Sequence, residues 1–296
     1  MIATRSIPLS ACELAAAVRS QRPYDACRLD RVLRVDEPHG LVEVQAGTPW
    51  QAIGAALRPG DARVARTRTT MATVGASLAH NAAGPDGRPA VVHVESIAVV
   101  TPGGELKRAN RTTQRDLFAL VAGGHGLFGA LYSITLDIGS LSRAVNEAGP
   151  LEEVSSAHPL RLLVPPGELE SFLAEARRRC AEWRMPLAGV EARRTLPEND
   201  SFLRWARRDY AAVALHFDHA PVLGMAVRAT QLRRELIDAA IARGGSFPVT
   251  STPEATREQA EACYPQLPQF LAEKRRVDPG ERIVNSWYLH YRRIFS

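Results

Sequence analysis

The chain reads as an α+β protein built in parts, and three observations predict this. The first 139 residues interleave short strands with short capped helices. The composition turns polar and irregular after Gly139. From Pro165 onward the pattern is mostly helical, with one interior strand. A length of 296 residues suits one large domain or two ordinary ones. Hydrophobic residues at 45% and charged residues at 23% exclude disorder and a fibre.

Each element has a local cause. Ser10-Ala11-Cys12-Glu13 has capping-box spacing and predicts a helix through about Arg19. Leu41 to Ala46 alternates as a strand does. Thr48 as N-cap, Pro49 at the first helical position and Gln51 at the third predict a helix that Pro59-Gly60 ends. Val91 to Val100 reads as an apolar strand closed by the turn Thr101-Pro102-Gly103-Gly104, and Leu131 to Ile138 as a period-two strand. Ser140 to His158 reads as a linker. Beyond it, Pro165 opens a helix with Leu169, Phe172, Leu173, Ala176 and Cys180 on one stripe. Ala211 to Phe217 looks like a strand. Leu232, Leu236, Ile237, Ala240 and Ile241 mark a helix capped by Gly244-Gly245. Thr252-Pro253-Glu254 and Pro265 open two more, the last running to about Arg276.

Several function classes drop out. No apolar run approaches the roughly 18 residues of a membrane span, and Met1 to Pro8 lacks a signal-peptide core, so a cytoplasmic protein is expected. Cys12, Cys27, Cys180 and Cys263 form no CxxC pair and no disulfide framework. The net charge of +5 comes from scattered arginine doublets and one triplet, and aromatics are only 6%, so no nucleic-acid surface is expected. An anionic ligand suits the charge equally well. In His216-Phe217-Asp218-His219 the strand period puts His216 and Asp218 on one face and His219 on the other; no metal site is expected. There is no GxSxG elbow and no HExxH.

Two glycine- and small-residue tracts remain. Thr73-Val74-Gly75-Ala76-Ser77 followed by Asn81-Ala82-Ala83-Gly84 offers hydroxyls and backbone amides that suit a phosphate, but it lacks the Lys-Ser/Thr of a P-loop. Gly124-His125-Gly126-Leu127-Phe128-Gly129 matches GxGxxG, yet a strand follows it where a dinucleotide fingerprint needs a helix, so a Rossmann site is rejected. Either tract could be an ordinary loop or face a cofactor.

Taken together, the tracts resemble the FAD-binding domain of the vanillyl-alcohol oxidase (PCMH-type) flavoproteins. The likeness covers roughly residues 30–139: Leu41 to Gly47 with Thr48-Pro49-Trp50, then Thr73 to Ser77 with Asn81 to Gly84. Val94-Glu95-Ser96-Ile97 with Thr101 to Glu105 follows, then Asp116-Leu117-Phe118 with Gly123 to Gly129. Gly244 to Phe247, Cys263-Tyr264-Pro265, Asp278-Pro279 and Trp287 to Tyr291 are similar to the tail of sugar-alcohol- and aldonolactone-oxidase-like members.

The resemblance implies an N-terminally shortened PCMH-type FAD-binding domain over 1–139. An α+β cap or substrate domain over 140–258 and a segment 259–296 returning to the flavin domain would follow. It implies non-covalent FAD, a small-molecule substrate, and hydride transfer from a polyol, sugar-like or other alcohol carbon to flavin N5. Thr73, Val74, Gly75, Ser77, Asn81 and Gly84 would contact the pyrophosphate and ring edge. Val94, Ile97, Gly126 and Gly129 would line the flavin. His125, Lys274, Tyr288 and His290 are the polar candidates on the substrate side.

Two departures from the family pattern stand out. Gln21 to Arg34 holds no glycine, so the family's first flavin loop is missing, and a protein partner could supply it. Pro248 to Pro253 holds no titratable side chain where related members carry one, although alcohol oxidation needs a base. The alternative is a flavin-free descendant acting as a binding or partner subunit, or as a cofactor-independent enzyme.

Overall fold

The computed structural model describes residues 6–57, 71–84, 86–147, 159–217 and 223–296. The first half of the chain runs α1 (Ala11–Arg19), β1 (Val32–Asp36), β2 (Leu41–Gln45), α2 (Trp50–Ala56), α3 (Val74–Ala79), β3 (Val94–Val100), β4 (Leu106–Asn110), α4 (Arg115–Val121), β5 (Ala130–Asp137) and α5 (Ile138–Glu147). The second runs β6 (Leu160–Val164), α6 (Leu169–Glu182), β7 (Leu187–Thr195), β8 (Tyr210–Phe217), α7 (Leu223–Ala242), α8 (Arg257–Cys263), α9 (Leu267–Val277) and α10 (Ser286–Ile294). The mixture of helix and antiparallel sheet is the α+β class the sequence predicts.

The chain divides into two units. The first is Met1–Gly149 with Asn199–Leu203 and Gln269–Leu289; the second is Pro150–Glu198, Arg204–Pro268 and His290–Ser296. The first unit holds a five-stranded antiparallel sheet in the order β1-β2-β5-β3-β4. Val44, Ile134 and Ile97 stand in one row across β2, β5 and β3, and all three are buried. Alternation turns Glu43 and Ser133 to the opposite face, where the Ser133 hydroxyl donates to the Glu43 carboxylate at 2.7 Å. Helix α1 lays Leu14, Ala15 and Val18 against Leu29, Val100 and Ala130. Segment 199–203 is stitched on by Arg111, which donates to Asp200, and by Asn81, whose amide donates to Ser201 Oγ.

The second unit holds the antiparallel sheet β6-β8-β7. Leu160, Leu162 and Val164 pair with Leu215, Val213 and Ala211 to form its buried apolar face. The apolar stripes of α6 (Phe172, Leu173, Ala176, Cys180) and α7 (Leu232, Leu236, Ile237, Ala240) are buried as their periodicity predicts.

Several local expectations need correction. Helix α2 begins at Trp50 with Pro49 as N-cap, because the Thr48 hydroxyl turns to the Arg31 carbonyl. The stretch 91–100 opens as a 3-10 turn, Ala90–His93, since the Val91 amide is taken by Asn81 Oδ1; the strand starts at Val94. Ile138–Glu147 is a helix where a linker was expected. Asp137 Oδ1 accepts the Ser140 amide at its start, and Ile138, Leu141 and Ala144 bury one face. The helix expected at Thr252 begins at Arg257, where Thr256 and Gln259 complete a capping box. Strands β1, β4, β6 and β7 and helix α10 had no strong period to announce them. Pro59-Gly60 and residues 148–158 lie outside the described residues.

Candidate functional site

In the first unit the two small-residue tracts form adjoining turns: the Gly123 amide donates to the Leu78 carbonyl and the His125 amide to the Ala79 carbonyl, both at 2.9 Å. The first tract builds helix α3. Thr73 caps it by accepting from the Ala76 amide, and the Ser77 hydroxyl donates to the Thr73 carbonyl and accepts from Trp50 Nε1. The amides of Val74 and Gly75 donate to the carbonyls of Thr48 and Ala46. Asn81 stands at φ +44 with its side chain buried, accepting from the Val91 amide and donating to Ser201. Gly84 is half-buried, and its amide donates to the Arg88 carbonyl. A Cβ on Gly75 would lie 2.5 Å from the Ala46 carbonyl oxygen, so this glycine is required by close backbone packing.

The second tract behaves differently at its centre. Cβ atoms on Gly124 and Gly129 would strike the carbonyl oxygens of Leu120 and Val100. Gly126, at φ +71, would meet nothing within 4 Å. Beside it His125 stands at φ +52. Its ring stacks on Trp287 (centroids 4.6 Å apart, planes 19° apart) and meets His80 edge-on. Its Nε2 is buried with no hydrogen-bond partner. Burial, reinforced by the neighbouring His80, pushes the His125 imidazole down to about 3, so it is neutral at ordinary pH. Val94 and Ile97 are buried on β3 in the core of the sheet.

The chain's tail braces this turn. Lys274 is fully buried and pairs with Asp278, one helical turn along. The Asp278 carboxylate also accepts the amides of Arg282 and Ile283, and it tightens the path to Asn285. The Asn285 amide donates to the His125 carbonyl at 3.0 Å, and Trp287 supplies the stacking ring. The Tyr288 hydroxyl donates to Glu281. Lys274 and Tyr288 therefore sit together, 5.9 Å from ammonium to ring, in a frame that holds the tail against His125. His290 belongs to the second unit, where its Nε2 is buried without a partner.

A grouping that sequence reasoning missed lies on the second unit's sheet. Arg161 and Glu191 both pair in register with Ala214, and His216 follows on the same face two residues on. His216 is buried, and its Nε2 lies 3.2 Å from Glu191 Oε1. His216 was legible only as half of a doubtful metal motif; Glu191 and Arg161 gave no signal, because strand pairing brings them together. Asp218 and His219 lie outside the described residues, and among the described residues no group of three His, Cys, Asp or Glu could hold a metal.

Against an FAD molecule, the two turns divide. The amides and hydroxyls that open α3 are spent within the chain, so these residues do not fit a phosphate there. The open side of Gly126 and the unpartnered Nε2 of His125 fit the edge of a flat, polar ring.

Among the described residues no helix is long and apolar enough to cross a membrane. None of the curated proteins matches the chain. A family model described as FAD binding domain matches residues 25–110, from the 3-10 turn before β1 to the end of β4. It includes α3 and stops before the turn at 123–129. Proteins with this domain are generally FAD-dependent oxidoreductases, and the match indicates that the chain binds FAD.

Proposed function

We propose that the chain is a FAD-linked oxidoreductase acting on an alcohol carbon of a polyol, sugar-like or other small alcohol. The observation that carries this reading is the FAD binding domain match over residues 25–110. The chemistry that FAD supplies when bound is acceptance of a hydride at flavin N5.

The chain's own residues have the remaining tasks. Gly126 offers backbone without a side chain, and neutral His125 offers Nε2 as a hydrogen-bonding group toward a ring edge. The brace of Lys274, Asp278, Asn285 and Trp287 fixes the orientation of His125 and keeps its ring from solvent. Oxidation of an alcohol also needs a group to take the hydroxyl proton. The phosphates need donors other than those of α3, and a partner protein that provides them is part of this reading.

Titrating FAD into the purified protein tests it. The expected result is saturable growth of visible flavin absorbance in the protein fraction, bleached anaerobically by one member of a panel of polyols and sugar alcohols. A protein that stays colourless at every FAD concentration would overturn the reading in favour of a flavin-free binding subunit.

A further inference from the structure

A second constellation in the first unit has no part in the flavin reading. His93 closes the 3-10 turn Ala90–His93 and is buried, 3% exposed. Its Nδ1 lies 2.7 Å from the Oγ of Ser140, in the first turn of α5. On the other side of the ring, Nε2 lies 3.7 Å from Asp86 Oδ2 and has no hydrogen-bond partner. Serine, histidine and aspartate thus stand in line, drawn from two segments 47 residues apart.

The surroundings suit acyl transfer in three respects. The His93 and Asp86 side chains are 3% and 8% exposed while Ser140 is half-buried, which screens base and carboxylate from water more than the serine. Burial would raise the Asp86 carboxyl, but the His93 ring and the Arg88 amide hold it below the usual carboxylate range, so it is ionised. An anion facing Nε2 keeps the imidazole proton on that nitrogen and frees Nδ1 to accept from Ser140. The Ser140 amide donates to Asp137 Oδ1 at 2.9 Å, which fixes the backbone that carries the hydroxyl.

We propose that Ser140 is a nucleophile, with His93 as its general base and Asp86 as the positioning residue, and that it accepts acyl groups from small activated esters. The Oγ–acyl bond forms as the ester C–O bond breaks. The hydroxyl proton passes to His93 Nδ1 and then to the departing alkoxide, which leaves as an alcohol. Water, deprotonated by the same nitrogen, hydrolyses the acyl-serine and restores the hydroxyl. No redox partner is required, so the proposal stands or falls apart from the flavin reading.

The test is covalent labelling of the whole chain by a fluorophosphonate, read by intact mass and peptide mapping, with and without added FAD. One phosphonyl group should appear on Ser140 in both cases, and Ser140→Ala should abolish it while the chain still unfolds at the wild-type temperature. Asp86→Asn should slow labelling about tenfold or more. Asp86→Glu, which keeps an anion facing Nε2, should restore most of that rate; a merely structural Asp86 would give no such split between Asn and Glu. Absence of an adduct on the wild-type chain, or an adduct that survives Ser140→Ala, would overturn the proposal.

Discussion

Two glycine-bearing turns of the first unit, 73–84 and 123–129, look alike in composition and do different work. In the first, hydroxyls and amides close on one another: Thr73 on Ala76, Ser77 on Thr73 and Trp50, Gly75 on Ala46, Asn81 on Val91 and Ser201. In the second, the flanking glycines are just as tightly packed, but Gly126 faces open space and His125 keeps a nitrogen unpartnered. Small residues therefore mark two separate demands, close passage of the chain past itself and room beside the backbone. Only the second leaves anything for a ligand.

The difference can be broken first from outside the turn. Lys274→Met strands the Asp278 carboxylate in a buried site and loosens the path to Asn285 and Trp287. Removing one partner of a buried pair costs about 3–5 kcal/mol. Chemical denaturation should show a loss of that size. FAD affinity should fall with it, because His125 loses its stacking partner. If stability falls and FAD binding does not, the 123–129 turn is not where the ring sits.

Exchanging one methyl between the turns sharpens the contrast. Gly75→Ala puts a Cβ 2.5 Å from the Ala46 carbonyl oxygen and 2.7 Å from the Ala46 Cβ, an overpacking that costs about 1–3 kcal/mol. Gly126→Ala meets no neighbour and carries only the left-handed backbone penalty of about 1–2 kcal/mol. The first change should lower the unfolding midpoint more, and the second should weaken FAD binding more. Equal effects of both variants on FAD binding would mean that the turns share the ligand.

Much of this fold was written in local spacing. Ser10 and Glu13 start α1, the Phe172–Cys180 stripe buries as its period requires, and Gly244 caps α7 at φ +72. Other features depend on distant residues. Ile138–Glu147 is polar overall and folds as a helix because Asp137 caps it and three apolar side chains find the core. The site divides the same way. The glycines were visible, but which of them face a ligand is decided by Ala46, Leu120 and Val100, far off in sequence or without polar character. Lys274 looked like chemistry and is fully buried, because Asp278 stands four residues away to receive its ammonium. The pairing of His216 with Glu191 follows from the register of β7 and β8, which no short motif encodes.

The last effect lies in the titration of His125, and near neutral pH it is the smallest. Its native imidazole protonates only at about 3, whereas an unfolded histidine does so near about 6.5. Above pH 6.5 neither state binds the proton, and the group has no influence on stability. As pH falls through that value the unfolded chain gains a proton that the native chain refuses, so stability drops steadily toward pH 3. His80, also held low by burial, works in the same direction. A series of denaturation curves across this window should therefore slope downward with acid. His125→Asn suits the φ of +52 and removes the titrating ring, so it should flatten the slope. An unchanged slope in that variant would show that the His125 ring exchanges protons with solvent in the native state, and would remove the case for a neutral acceptor beside Gly126.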